Sequence, residues 1–172
     1  MNTPYTYHVY LQLINRIEPI NNTLPELIYE HDSLRRDQNL YNDFINLFQK
    51  YKEPQRFYHT WGHIQTGWNL LKKLKKMFQF PDAAEFAWLY HDCIYIPHSK
   101  VNEVASSAEA EFACIRYGFS DDFIDQVSSN IVDDQRHDNN LFHDIDFSIL
   151  AASNRQYKWY AQNFRRKCHG KY

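Results

Sequence analysis

His91 and Asp92 stand together at the end of an apolar run, Ala83-Ala84-Glu85-Phe86-Ala87-Trp88-Leu89-Tyr90. A segment that is apolar nearly all round belongs inside a protein, where an unpaired imidazole or carboxylate is costly. A metal ion satisfies both at once. Further imidazoles and carboxylates lie in Tyr58-His59-Thr60-Trp61-Gly62-His63 and in Asp144-Ile145-Asp146, and could complete its ligand set. Imidazoles and carboxylates form a mixed nitrogen and oxygen set suited to a divalent ion such as Mn, Fe, Co, Ni, Zn or Mg.

Each signal is weak alone. His59 and His63 are spaced i, i+4, which on a helix gives them one face. Position 60 is Thr60, however, so the Glu of an HExxH protease is missing. Asp144 and Asp146 adjoin the apolar Phe147, Ile149 and Leu150; either carboxylate could be a ligand, or could cap a following helix. The cysteines Cys93, Cys114 and Cys168 form no CxxC pair and no disulfide pattern. Free thiols fit a reducing, cytoplasmic setting, and no base that would activate Cys93 is visible.

The elements that must position these groups read as helices. Only four glycines and six prolines interrupt 172 residues, and the periodic segments lack NG or DG turns. The pattern predicts helices over Tyr7–Ile17, over Pro25–Tyr51 with a break near Asp32-Ser33, and over Thr60–Phe78. Others follow from Pro81-Asp82 to about His91, over Asn102–Tyr117 with Gly118 just beyond, from Ser120 to Val132, and over Ser153–Arg166. Ile94–Val101 and Asp133–Asn140 read as loops. Leu40, Phe44, Leu47, Phe48, Ile64, Leu71 and Leu74 are the core positions this spacing suggests. The expected architecture is all-α, a single-domain helical bundle over residues 1–172.

A hydrophobic fraction of 44% argues against disorder, and a net charge of -2 gives no reason to expect a nucleic-acid surface. No signal peptide is visible, and no stretch approaches the ~18 apolar residues of a membrane span. Lys72, Lys73, Lys75 and Lys76 read as a solvated helix end more readily than as an anion site. The 17% aromatic content allows a homo-oligomer interface but does not require one.

In this order, His63, His91-Asp92 and Asp146 resemble the metal-binding signature of the HD superfamily of phosphohydrolases. Tyr51-Lys52-Glu53-Pro54-Gln55-Arg56-Phe57-Tyr58-His59-Thr60-Trp61-Gly62-His63-Ile64 is similar to the Y-x-E-P-x-R-x-Y-H-x-x-x-H-I segment of bacterial metal-dependent members. Tyr90-His91-Asp92-Cys93-Ile94-Tyr95 resembles HD-x-x-Y, Asn102-Glu103 with Ser107-Ala108 resembles NE-x-x-S-A, and Asp144 to Leu150 resembles D-x-D-L-S-I-L. The likeness covers about residues 47–160. Thr60, where related cyclic-nucleotide phosphodiesterases have Asn, departs from the pattern, as does Asp133-Asp134-Gln135-Arg136-His137, which lacks the Thr of a T-x-x-H element. Family members usually carry another helix or so beyond the segment like Tyr157 to Lys167, which implies a short C-terminus or packing completed by another subunit.

The resemblance implies an HD-type bundle around a central metal and hydrolysis of a phosphomonoester or phosphodiester, such as a nucleotide, by metal-activated water. His63, His91, Asp92 and Asp146 become the ligands, and His59 the general acid that protonates the leaving oxygen. Arg56 could bind phosphate bidentately or pair structurally with Glu53. Glu103 could orient a ligand imidazole or be an ordinary first-turn carboxylate. His137 is a candidate for substrate contact or a second metal. Lys100, in the loop after His91-Asp92, is a candidate to approach substrate but reads more readily as a solvated lysine, and His98 reads as an exposed loop residue. Two other outcomes stay open at this level: a di-iron oxygenase of HD fold, and a catalytically silent binding or regulatory module stabilised by its metal.

Overall fold

The computed structural model describes residues 38–132 and 139–151, together with 153–155, 157–158 and 161–162. These residues form helices and turns, with no strand among them. The helices predicted over Tyr7–Ile17 and the first part of Pro25–Tyr51 lie outside the described residues, as do Asp133–Asp138 with His137, and the end of the chain.

Helix α1, Gln38–Lys50, buries Phe44, Leu47 and Phe48 along one stripe, which Tyr51 continues. Helix α2, Trp61–Leu74, buries His63, Ile64, Gly67, Trp68 and Leu71, again at helical spacing. It stops before Phe78: the chain tightens into a 3₁₀ turn at Lys75–Met77 that returns Phe78 to the core. The basic cluster here belongs to the structure. Lys75 Nζ pairs with Asp82 at 3.2 Å and with the buried Glu85 at 3.0 Å, and Lys72 lies over the Trp68 ring.

Pro81, whose missing N–H is harmless in a first turn, opens α3, Pro81–Tyr90. Every residue from Ala83 to Tyr90 is buried, because α2, α4 and α5 surround this helix. Helix α4, Asn102–Arg116, ends at Gly118, whose φ of +72° is the left-handed conformation that glycine adopts without strain. Ser120 caps α5, Asp121–Ile131, through its hydroxyl and the Phe123 N–H. A short helix absent from the sequence reading, α6, covers Asn139–Asp146 and runs into a 3₁₀ turn at Phe147–Ala151. It buries Phe142 and Ile145 and packs on α2. At the rim, Asp43 of α1 takes Arg116 Nη1 at 2.7 Å and the Tyr117 hydroxyl, tying α1 to the end of α4. No helix among the described residues is long and apolar enough to cross a membrane.

Leu71 is fully enclosed at the centre of α2. Leu71→Ala is expected to lower stability by about 2–5 kcal/mol in urea unfolding. A loss below ~1 kcal/mol would show that this part of the core is not tightly packed.

Candidate metal centre

Four side chains converge where α2, α3 and α6 meet. His63 lies in the first turn of α2, His91 caps the C-terminus of α3, Asp92 follows it, and Asp146 is the last residue of α6. His63 Nε2 is 3.2 Å from His91 Nε2, 3.0 Å from Asp146 Oδ1 and 3.6 Å from Asp92 Oδ2. His91 Nε2 is 3.2 Å from Asp92 Oδ2 and 3.7 Å from Asp146 Oδ1. One ligand atom from each residue lies within 4.8 Å of all the others, and both imidazoles are buried.

The local structure gives these atoms a common polarity. His91 Nδ1 donates to the Trp88 carbonyl at 2.8 Å, so in the neutral ring Nε2 carries the lone pair and faces His63. Asp92 Oδ2 is buried without a hydrogen bond. Both carboxylates sit at the C-terminal ends of helices, where the helix dipole is negative and disfavours them. Two imidazoles, two carboxylates and two negative helix ends make a site suited to a cation.

Protonation alone supplies part of that positive charge. Burial would lower the His91 pKa, yet the Asp92 and Asp146 carboxylates raise it well above the usual histidine value. Burial would likewise raise both carboxyls. The facing imidazoles, His91 foremost for Asp92 and His63 for Asp146, instead hold them well below the usual carboxylate range.

The residues fit a metal ion. Ligands about 2.1 Å from a divalent ion stand roughly 3.0 Å apart at right angles and roughly 3.4 Å apart in a tetrahedron. The closest approaches here, 3.0 Å and 3.2 Å, fall in that range. The donor set is the nitrogen and oxygen mixture that suits borderline or hard divalent ions. Asp146, and not the exposed Asp144, belongs to the group.

His59 stands beside the four and not among them. Its Nε2 is 4.0 Å from Asp92 Oδ2, and its side chain is about a quarter exposed. Its ring packs against Tyr58 and Tyr95, at centroid distances of 5.0 Å and 5.2 Å. The helix expected from Thr60 starts at Trp61, so His59 lies in the irregular segment before it and shares no helical face with His63. Thr60 stands at the N-cap position without a side-chain cap.

Arg56 takes the structural of its two expected places. Nε donates to Glu53 Oε2 at 3.0 Å; Nη1 donates to the carbonyls of His59, at 3.2 Å, and Asp92, at 2.6 Å; Nη2 donates to the Cys93 carbonyl at 2.9 Å. The guanidinium is sandwiched between the Tyr51 and Tyr95 rings and is buried. Four of its five N–H groups are thus committed to the protein, so the expected bidentate grip on phosphate is corrected to a tie between the His59 segment and the turn at Asp92-Cys93. A cavity of about 440 Å³ shares Arg56 as a wall, but none of the four converging residues lines it.

The element around Asn102 is a latch. Its side-chain amide accepts from Ile96 N–H at 3.0 Å and donates to the Ile96 carbonyl at 2.9 Å. Ser106 Oγ accepts from Ile94 N–H at 3.0 Å. Ser107 Oγ lies 2.8 Å from Ser128 Oγ and holds α4 to α5. Glu103 is exposed in the first turn of α4, without a hydrogen bond or ion pair to His63 or His91 among the described residues. The carbonyl of Trp88, and not Glu103, orients a ligand imidazole. Lys100 and His98 are exposed, the latter with φ of 64°. Cys93 is buried, and burial pushes its thiol up to about 12, which removes it as a nucleophile.

No protein-family model, curated protein or solved structure matches this chain.

Zn²⁺ or Mn²⁺ added to metal-free protein is expected to raise the Tm by several degrees, since a ligand of the folded state stabilises it by mass action. His63→Ala and Asp146→Ala should abolish the shift, and Asp144→Ala should keep it. Equal shifts in the three variants would overturn the assignment. Arg56→Ala should lower stability by roughly 3 kcal/mol or more, because it frees three carbonyls and a carboxylate at once; a loss under ~1 kcal/mol in urea unfolding would contradict its role as a tie.

Proposed function

We propose that this chain is a metal-dependent phosphohydrolase of the HD type, cleaving a phosphomonoester or phosphodiester, nucleotides among the candidates. The observation that carries this reading is the meeting of His63, His91, Asp92 and Asp146 in one buried cluster, in the chain order of the motifs they resemble. These four would hold a single divalent ion. When bound, the ion supplies an acidified water and offsets negative charge on phosphate oxygens.

The chain's own residues do the rest. His91 is held by Trp88 in the tautomer that turns Nε2 inward. Asp92 and Asp146 stay ionised and keep the imidazoles oriented. His59, adjacent to Asp92 and partly open to solvent, holds a proton at Nε2 and delivers it to the leaving oxygen. Arg56 fixes the backbone at His59 and Asp92 together, so that the proton donor and the ligand keep their spacing.

The test is metal analysis of the purified protein, followed by a panel of phosphomonoesters, phosphodiesters and nucleotides. One ion per chain and turnover of at least one of them are expected. His59→Ala should keep the ion while turnover falls by roughly 10²–10⁴-fold. Loss of the ion in that variant would make His59 a ligand. Two irons per chain would point to oxidative chemistry, and a bound ion without turnover to a silent binding module; either result overturns the proposal.

A further inference from the structure

We infer that Trp88, seated in the notch left by Gly67, is the positioning residue that sets how tightly the four-residue site holds its ion. The inference rests on the reading of this cluster as a metal centre and extends it to residues that touch no ligand atom.

Trp88 reaches every element that carries one of the four. Its indole Nε1 donates to the Ile64 carbonyl at 2.9 Å, one residue from His63. Its own carbonyl takes the proton of His91 Nδ1 at 2.8 Å. The indole stacks on the His91 ring with centroids 4.4 Å apart and planes 28° apart, and packs against the His63 ring at 5.4 Å. Its other neighbour is Phe142 of α6, at 5.4 Å, the helix that ends in Asp146. Trp88 is fully buried, so the ring has no room to swing away.

The notch makes this arrangement possible. A Cβ on Gly67 would lie 1.8 Å from Trp88 Cζ2, 2.5 Å from Cε2 and 2.6 Å from Cη2. Those are ring atoms of an enclosed side chain, so any residue larger than glycine must displace the indole or separate α2 from α3. Either movement changes the spacing of the two imidazoles, because one stands on each side of the contact. Metal sites lose affinity when their ligands drift by about 0.5 Å.

The test measures the Kd for Zn²⁺ by competition with a chromophoric chelator, alongside the Tm of the metal-free protein. Gly67→Ala is expected to weaken binding by roughly 10- to 100-fold, the range found when outer supports of a metal site are removed. Trp88→Phe loses the bond to Ile64 but makes room for a methyl group. The double variant should therefore bind more tightly than Gly67→Ala alone, a non-additivity that marks direct coupling. A role in packing only would lower the metal-free Tm and leave the Kd of the folded variants unchanged, which would overturn the inference. Should Gly67→Ala not fold, Trp88→Phe carries the test: a weaker Kd supports the role, and an unchanged one overturns it. Wild-type protein that binds no Zn²⁺, Mn²⁺ or Fe²⁺ would overturn the metal centre itself, whereas tight binding by wild type and Gly67→Ala alike would overturn this inference alone.

Discussion

The structure depends on the contact between α2 and α3 at which the Trp88 indole lies against the backbone of Gly67. Helices normally pack 8–10 Å apart according to the side chains between them, and here glycine leaves the space to the indole. Small residues on α3 extend the same economy of space. Ala83, Ala84 and Ala87 are buried among α2, α4 and α5, and the only charged group on the buried stretch, Glu85, is met by Lys75. His91 and Asp92 of the candidate metal cluster follow at its C-terminal end.

What lies outside the helices is stiffened by bonds to backbone rather than by packing. His59 and Asp92 both stand in irregular chain, which ordinarily moves more than the elements it joins. Arg56 binds the carbonyls of both residues from one rigid guanidinium. Tyr51 adds a bond to the Leu89 carbonyl at 2.7 Å, and Ser106 at Ile94 and Asn102 at Ile96 hold the chain on either side of Tyr95. A side chain that reads as a catalytic candidate in a motif can serve as its framework, as Arg56 does here, and so can another motif residue, Asn102.

The His91-Asp92 half of the candidate cluster is legible in the sequence because α3 is enclosed on all sides; His63 and Asp146 stand out only through the motifs they resemble. Burial all round gives an unbroken apolar run, and the polar pair at its end stands out. Phe44, Leu47, Ile64 and Leu71 are legible from helical spacing for the opposite reason, the burial of one face. The choice between Asp144 and Asp146 was not, since α6 has only eight residues, too few periods to reveal which face turns inward. Nor was the place of Arg56: its partners at Asp92 and Cys93 lie 36 and 37 residues away, and sequence spacing is silent about them. Trp88 shows only as core, because its service to His91 is made by its backbone carbonyl, a group every residue has.

The ends of α3 and α6 carry one more consequence. There two carboxylates, held ionised by the imidazoles facing them, stand at the negative poles of two helices. These negative groups act over about 8–10 Å at ordinary ionic strength, so the ends of two helices are placed to receive a positive charge, whether proton or metal ion.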